Sequence, residues 1–413
     1  MHMLSQNPAR FLDRTTPPNI ATLVLLAGTG ALSMNVFLPA LPEMTEHFDT
    51  EYRVMQLAVP LYLLLNAFLQ LLVGPFADKY GRRPVTLIGL VIFVVASIGC
   101  VYAPTVGIFL FFRLLQSFVA IGYVLSRAVV RDMYPADKAA AMIGYVAMGM
   151  SLVPMFSPVI GGALTGLFGW ESTFWLMVGM GGLTLALAWA DQGETNQPSD
   201  MSLARQFAQY PELLRARRFW GYAMCVTLSS GAFFAYLGGA PFVGSEIFGL
   251  DPSALGFWFG APAIGYLVGN FLTGQLATKF GINKMILVGS IIAFAGPMAA
   301  LIAFELGSKS ELIFFGSMTF VGLGNGMVIP NGTSGALSVR PHLAGTAAGL
   351  SGALMIGGGA ALAALAGALL TPERGAFPLL ALMAIVCAMG VAAILLVIRR
   401  ERQLRLAGVD LQM

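Results

Sequence analysis

The sequence predicts an all-α polytopic membrane protein with about twelve transmembrane helices arranged as two six-helix halves. Three observations predict it. Charged residues make up 10% of the 413 residues and apolar types 57%, with a mean hydropathy of +0.78, whereas soluble domains carry about 25% charge. Apolar runs of spanning length follow one another along the whole chain, and twelve spans of ~20 residues would use ~240 residues, leaving only short loops. A loop motif also recurs at an offset of 200 residues, dividing the chain near its middle.

Taken in order, residues 1–19 form a polar tail that ends in Pro17-Pro18 and shows no cleaved-signal pattern. Spans are expected at 20–42, 55–76, 84–103, 106–126, 139–163 and 171–190, building an N-terminal bundle over 20–190. Residues 191–218 are the longest polar stretch and read as a linker. Within it 201–215 fits either an amphipathic surface helix or a solvated tether. Spans at 219–241, 253–276, 284–305, 312–333, 343–370 and 376–398 build the C-terminal bundle over 219–398, and 399–413 form a second tail.

Lys and Arg placement sets the expected orientation. Nineteen of the 23 basic residues fall on one set of connections, among them Arg14, Lys79, Arg82, Arg83, Arg127, Arg131, Arg218, Lys284 and Arg340. Arg53, Lys309 and Arg374 fall on the opposite set, and Arg113 lies inside a span. Both termini and the linker are therefore expected in the cytoplasm.

The same composition excludes several classes. The basic residues lie between apolar runs and form no nucleic-acid domain. Cys100, Cys225 and Cys387 sit in separate apolar runs, so no disulfide framework is expected. His2, His47 and His342 fall in expected loops or the tail, which leaves no metal cluster, cofactor site or catalytic constellation for an enzyme. No soluble receptor domain is visible.

The most specific motif is Gly74-Pro-Phe-Ala-Asp78-Lys-Tyr-Gly81-Arg82-Arg83 after span 2. Gly74 permits close helix approach, Gly81 suits a left-handed turn, and Asp78 suits the positive end of a neighbouring helix. Arg82 and Arg83 are expected to anchor at the anionic leaflet. The alternative is a generic charged turn. Its repeat, Gly274-Gln-Leu-Ala-Thr278-Lys-Phe-Gly281, keeps Gly, Ala, Lys, aromatic and Gly but replaces the acid with Thr278. Such repeats place a binding site between the halves near the bilayer midplane.

Arg113 stands within Phe109-Leu-Phe-Phe-Arg113-Leu-Leu-Gln116-Ser117. A central arginine costs about 2.5–3.5 kcal/mol on insertion scales, so it should face the interior with polar partners. Gln116 lies one turn on and Gln70 is a second candidate; a purely structural clamp is the alternative. Span 5 carries Pro154, Ser157, Pro158, Gly161 and Gly162, a proline bend beside paired glycines that allow close crossing. Polar or adaptable groups inside other spans are pocket candidates: Asn35, Tyr62, Asn66, Gln70, Gln116, Tyr123, Met148, Phe233, Tyr236, Tyr266, Asn270 and Asn325. Helix-to-helix packing is the competing reading for each. Aromatic and Met walls with few charges suit a small amphipathic organic substrate.

The loop after span 2 resembles the signature of the major facilitator superfamily. Residues 20–398 as a whole resemble its bicyclomycin and chloramphenicol exporter (Bcr/CflA) branch. The resemblance rests on Phe37-Leu-Pro39, Arg131-Asp132-Met-Tyr134-Pro135, Phe168-Gly-Trp170, Phe234-Ala-Tyr236 and Pro341-His342 in that order. It implies the major facilitator fold in a bacterial inner membrane and efflux of drugs by alternating access. It also implies a monomer, with protons as the coupling ion, Asp78 as a latch on the cytoplasmic side, and Arg113 in proton coupling or substrate binding. Two departures stand out. Ser117 and Ser157 occupy positions where the family motifs carry glycine. Asn35 occupies the place, four residues before Pro39, where those exporters carry an aspartate. An amide cannot release a proton near neutral pH. No Asp or Glu falls in the centre of any expected span, so an uptake carrier or uniporter on the same fold is the alternative function.

Overall fold

The computed structural model describes residues 10–133, 142, 146, 153, 156–195, 210–340 and 343–407. Met148, Pro154 and Tyr134, singled out in the sequence, the tail ends and most of the linker lie outside the described residues. Twelve apolar helices run in chain order. The first six are α1 (Ile20–His47), α2 (Tyr52–Tyr80), α3 (Arg82–Val101), α4 (Val106–Val130, helical on to Met133), α5 (Phe156–Phe168) and α6 (Glu171–Asp191). The second six are α7 (Arg217–Ile247), α8 (Pro252–Phe280), α9 (Ile282–Glu305), α10 (Glu311–Ser338), α11 (Thr346–Leu369) and α12 (Phe377–Leu406). All but α5 are long and apolar enough to cross a bilayer, and α5 is the described end of expected span 5. No strand occurs among the described residues.

Local chemistry explains where the helices start and stop. Asn19 accepts from the Ala21 N–H at 3.0 Å and opens α1. Asp251 accepts from the Ala254 N–H at 2.8 Å and opens α8, with Pro252 in the first turn, where a missing N–H costs nothing. Gly81 (φ 97°) and its repeat Gly281 (φ 80°) end α2 and α8 in a conformation that side chains resist, so α3 and α9 start one residue later. α1 is broken by a tight turn at Leu38–Ala40, where Pro39 removes an N–H from the ladder.

Side-chain faces sort the helices into two bundles. α1 packs on α4 and α6, and α3 on α4 and α6. In the second bundle α7 packs on α10, α11 and α12, α8 on α10, and α9 on α10 and α12. Leu64, Phe68, Val95, Phe271, Phe320 and Leu396 are exposed, as an apolar solvent permits.

The bundles meet tightly at the side away from the start of α1 and the end of α12, called here the far side; the other is the terminus side. There the Leu38–Ala40 turn packs on the start of α8, and the Tyr52 and Phe242 rings lie 5.2 Å apart. Gln56 donates through Nε2 to the Ala363 carbonyl at 2.8 Å. Between the bundles α5 crosses α8 backbone to backbone: a Cβ on Gly162 would overlap the Pro252 carbonyl, and one on Gly256 would reach Gly162 Cα at 3.1 Å. Gly161 faces α1 the same way, against the Val36 carbonyl. These paired glycines let two backbones touch where any methyl would part them.

Several helices overrun the apolar runs of the sequence. Expected span 4 ended at 126, yet the helix continues to Met133 because its charged last turns find partners. α12 continues past 398 to Leu406, and Glu401 there is 3% exposed rather than part of a solvated tail. Of the stretch 201–215, a short helix at Tyr210–Leu214 is described, tied to α10's end by a 2.9 Å Glu212–Arg340 ion pair.

Candidate functional site

A cavity of about 320 Å³ lies between the bundles on the terminus side of the far-side seal. Asn35, Tyr62, Asn66, Gln70 and Tyr123 line it from the first bundle, with Pro158. Phe233, Tyr266 and Asn325 line it from the second. It continues toward the terminus side as a second cavity of about 520 Å³, where Asn270 joins Gln70, Tyr123 and Tyr266. Eight of the sequence candidates thus converge on one chamber and a ninth on its extension. The wall is mostly apolar, with Met34, Leu237, Phe259, Ile329 and Met355 between the polar groups. That is the composition that takes up drug-sized amphipathic ligands.

The polar groups on this wall differ in how far they are satisfied. Asn35 is 1% exposed and donates through Nδ2 to the Ala31 carbonyl at 2.7 Å, while its Oδ1 has no protein partner. Gln70 donates to Asn66 Oδ1 at 2.9 Å, one helical turn away. Asn325 accepts from Ser229, and Asn270 donates to the Tyr266 carbonyl at 2.9 Å.

Three candidates stand one layer behind the wall. Tyr236 is fully buried between Phe233, Phe259 and Phe315. Arg113 is fully buried, its guanidinium held between the Phe37 and Tyr62 rings at 4.1 and 4.2 Å. It donates to Gln116 Oε1 at 2.6 Å, to the Ser33 carbonyl at 3.0 Å, to Ser33 Oγ at 3.3 Å and to the Ala58 carbonyl at 3.3 Å. Gln116 in turn donates to Ser97 Oγ at 2.7 Å. Arg113 and Gln116 therefore tie α1, α2, α3 and α4 together, and Gln116 is the partner the sequence suggested. Gln70 is not. Arg113 meets α2 at Ala58, and twelve residues of helix place Gln70 about 18 Å further along.

The loop after α2 departs from its sequence reading. Arg82 is 6% exposed and turned inward: it pairs with Asp78 at 2.6 Å and with Asp132 of α4 at 3.1 Å. Arg83 donates to the carbonyls of Gln192 and Trp189 at 2.8 and 2.9 Å. Both guanidinium groups are thus engaged by protein acceptors, in place of the leaflet anchoring expected from the sequence. Glu194, at the start of the linker, accepts from the N–H groups of Arg82 and Arg83 at 2.8 and 3.1 Å and so caps α3. Gly74 has open space beside it, so close helix approach is not its role here.

The repeat loop holds a cluster that the sequence did not reveal. Glu401 of α12 accepts from Arg218 at 2.6 Å, from Tyr222 at 2.8 Å and from Asn283 at 2.6 Å. Asn283 stands 200 residues after Arg83, so both loops close on the last helix of their own bundle. That offset was the only signal available; Arg218 and Glu401 lie 183 residues apart.

Comparison with known proteins agrees with this geometry. The family model "Major Facilitator Superfamily" matches residues 23–364 and 245–410. The chain is 30% identical over 332 residues to a chloramphenicol resistance protein of Pseudomonas aeruginosa, covering 79% of this chain and 78% of that protein. It is 27% identical over 353 residues to a bicyclomycin resistance protein homolog of Haemophilus influenzae, covering 84% and 88%. Among solved structures, the peptide transporter POT in complex with sulfate superposes with a TM-score of 0.74 at 13% identity, covering 93% of this chain and 94% of that one, which shows a shared fold. The chain belongs to the major facilitator superfamily, in its bicyclomycin and chloramphenicol resistance (Bcr/CflA) branch.

Proposed function

We propose that this protein exports small amphipathic organic molecules, antibiotics among them, across the bacterial inner membrane by alternating access and performs no covalent chemistry. The observation that carries the proposal is an apolar-walled chamber between the bundles, sealed at the far side and continued toward the terminus side. The resistance proteins named above support the substrate class. The basic residues support a terminus side, with both termini and the linker, facing the cytoplasm. One chain encloses the chamber, so a monomer suffices.

Arg113, with Gln116, is the group assigned to couple the chamber to helix movement, because Arg113 touches Tyr62 on the wall and the two side chains together join four helices. The ion cluster of Asp78, Arg82 and Asp132 is assigned to the latch of the cytoplasmic side. Proton coupling is the natural energy source for export. A second reading, a facilitator that moves its solute downhill, is favoured by one observation: no carboxylate lines the chamber among the described residues. Substrate-induced proton flux in proteoliposomes, over a panel of amphipathic drugs and small metabolites, separates the two. Export predicts proton movement with drugs; solute flux without proton movement supports the facilitator.

A further inference from the structure

The sequence placed Arg127 among the loop cations, but the structure places it on the wall of both cavities. It is the only ionisable acid or base of charge at neutral pH on that wall among the described residues. Its guanidinium lies over the Tyr123 ring at 4.2 Å, which fixes its position, and it is part-exposed to the chamber. Three other arginines on this side are neutralised by carboxylates: Arg82 by Asp78 and Asp132, Arg218 by Glu401, and Arg340 by Glu212. Arg127 has no carboxylate partner among the described residues. A guanidinium on a mostly apolar wall, with no counterion beside it, attracts an anion and offers it a planar fork of donors.

A second charge adds to the same field. Arg113 sits directly behind Tyr62 of the wall, again with ring faces, hydroxyl, amide and carbonyl partners and no carboxylate. Both charges are positive, and among the described residues the wall offers nothing negative to offset them.

We infer that the chamber selects amphipathic substrates bearing an anionic group, a carboxylate or a group of like charge, with Arg127 as the specificity-determining residue and Tyr123 as its support. The inference rests on the chamber being the transport site, as proposed above. The acid of the substrate docks on Arg127 while its apolar body lies against Phe233, Met355 and Ile329. Amphipathic cations are disfavoured by both arginines.

The test uses three probes of one shape: biphenyl-4-carboxylate, biphenyl-4-carboxamide and biphenyl-4-ylmethylammonium. Binding to the full chain in lipid nanodiscs is measured by calorimetry, beside flux of neutral amphipathic drugs in proteoliposomes. The carboxylate should bind about tenfold or more tightly than the carboxamide, the size of one charge-assisted hydrogen bond, and the ammonium more weakly still. Arg127→Gln should level the carboxylate and carboxamide. Arg127→Lys should keep the order with a smaller gap, and Arg374→Gln in a far-side loop should leave it unchanged. A carboxylate that binds no better than the carboxamide, a preference that survives Arg127→Gln, or no binding by any probe would overturn the inference. If neutral drugs are still carried in those cases, the export proposal stands alone; if nothing is bound or carried, both fall.

Discussion

Arg113 shows how one side chain can be both legible and incompletely read. Its charge inside an apolar run marks it, and its nearest polar neighbour, Gln116, follows from helical spacing. The Ser33 and Ala58 carbonyls lie 80 and 55 residues away, and the aromatic sandwich comes from the same two helices, so none of them has a local signature. Arg113→Ala leaves those acceptors buried without donors, which should cost about 2–4 kcal/mol of stability and abolish transport. Arg113→Lys should restore part of the stability, read as melting temperature in detergent, and little activity, because an ammonium lacks the planar fork. An alanine variant that transports normally would remove Arg113 from the mechanism. Asn35 is the second test at this scale. Its Oδ1 has no protein partner, and the residue lines a chamber with no acid among the described residues. Asn35→Asp places there a carboxyl that can take up and release a proton, which the native amide cannot. Below the resulting pKa the group is neutral and transport should resemble that of the native protein; above it transport should diverge, giving a pH dependence between about pH 5 and 8. A flat profile from pH 5 to 8 would contradict this. Arg127 was illegible because it lies just past an apolar run, where charge reads as loop.

At the scale of elements, apolar run length located the helices well and their ends poorly. Charge stops an apolar run, but it stops a helix only where the charge stays solvated. Asp132 and Glu401 are held by Arg82 and Arg218, so α4 and α12 run on past the apparent boundary. The glycines of α5 were legible as a close crossing, though not which helix they cross. Since the crossing is backbone on backbone with α8, it cannot yield to a new methyl as a side chain would. Gly162→Ala should therefore destabilise the far-side seal by about 1–3 kcal/mol, the usual cost of overpacking, and lower its population roughly tenfold. Spin labels at positions 53 and 309, one on each bundle at that side, should report a longer distance in the variant and slower turnover. An unchanged distance distribution would show that the seal does not depend on this contact.

For the whole molecule, the 200-residue repeat carried more information than any single motif. It gave the two bundles, the interface between them and thus the place of the chamber. Nine pocket candidates converged on that chamber because polar groups are costly in a lipid-facing or packed position and are retained where a cavity hydrates them. Tyr236 met the same sequence criterion but is packed behind the wall, since an aromatic ring can bury its body in a core as well as in a cavity. The central claim is that one chamber, shared by both bundles, carries the substrate. Counterflow of a labelled amphipathic drug into proteoliposomes tests it most directly, comparing the native protein with Asn66→Trp, which fills the chamber from its wall. Saturable counterflow in the native protein, lost in a correctly folded Asn66→Trp, is the predicted result; saturable counterflow of equal rate in both would contradict the account.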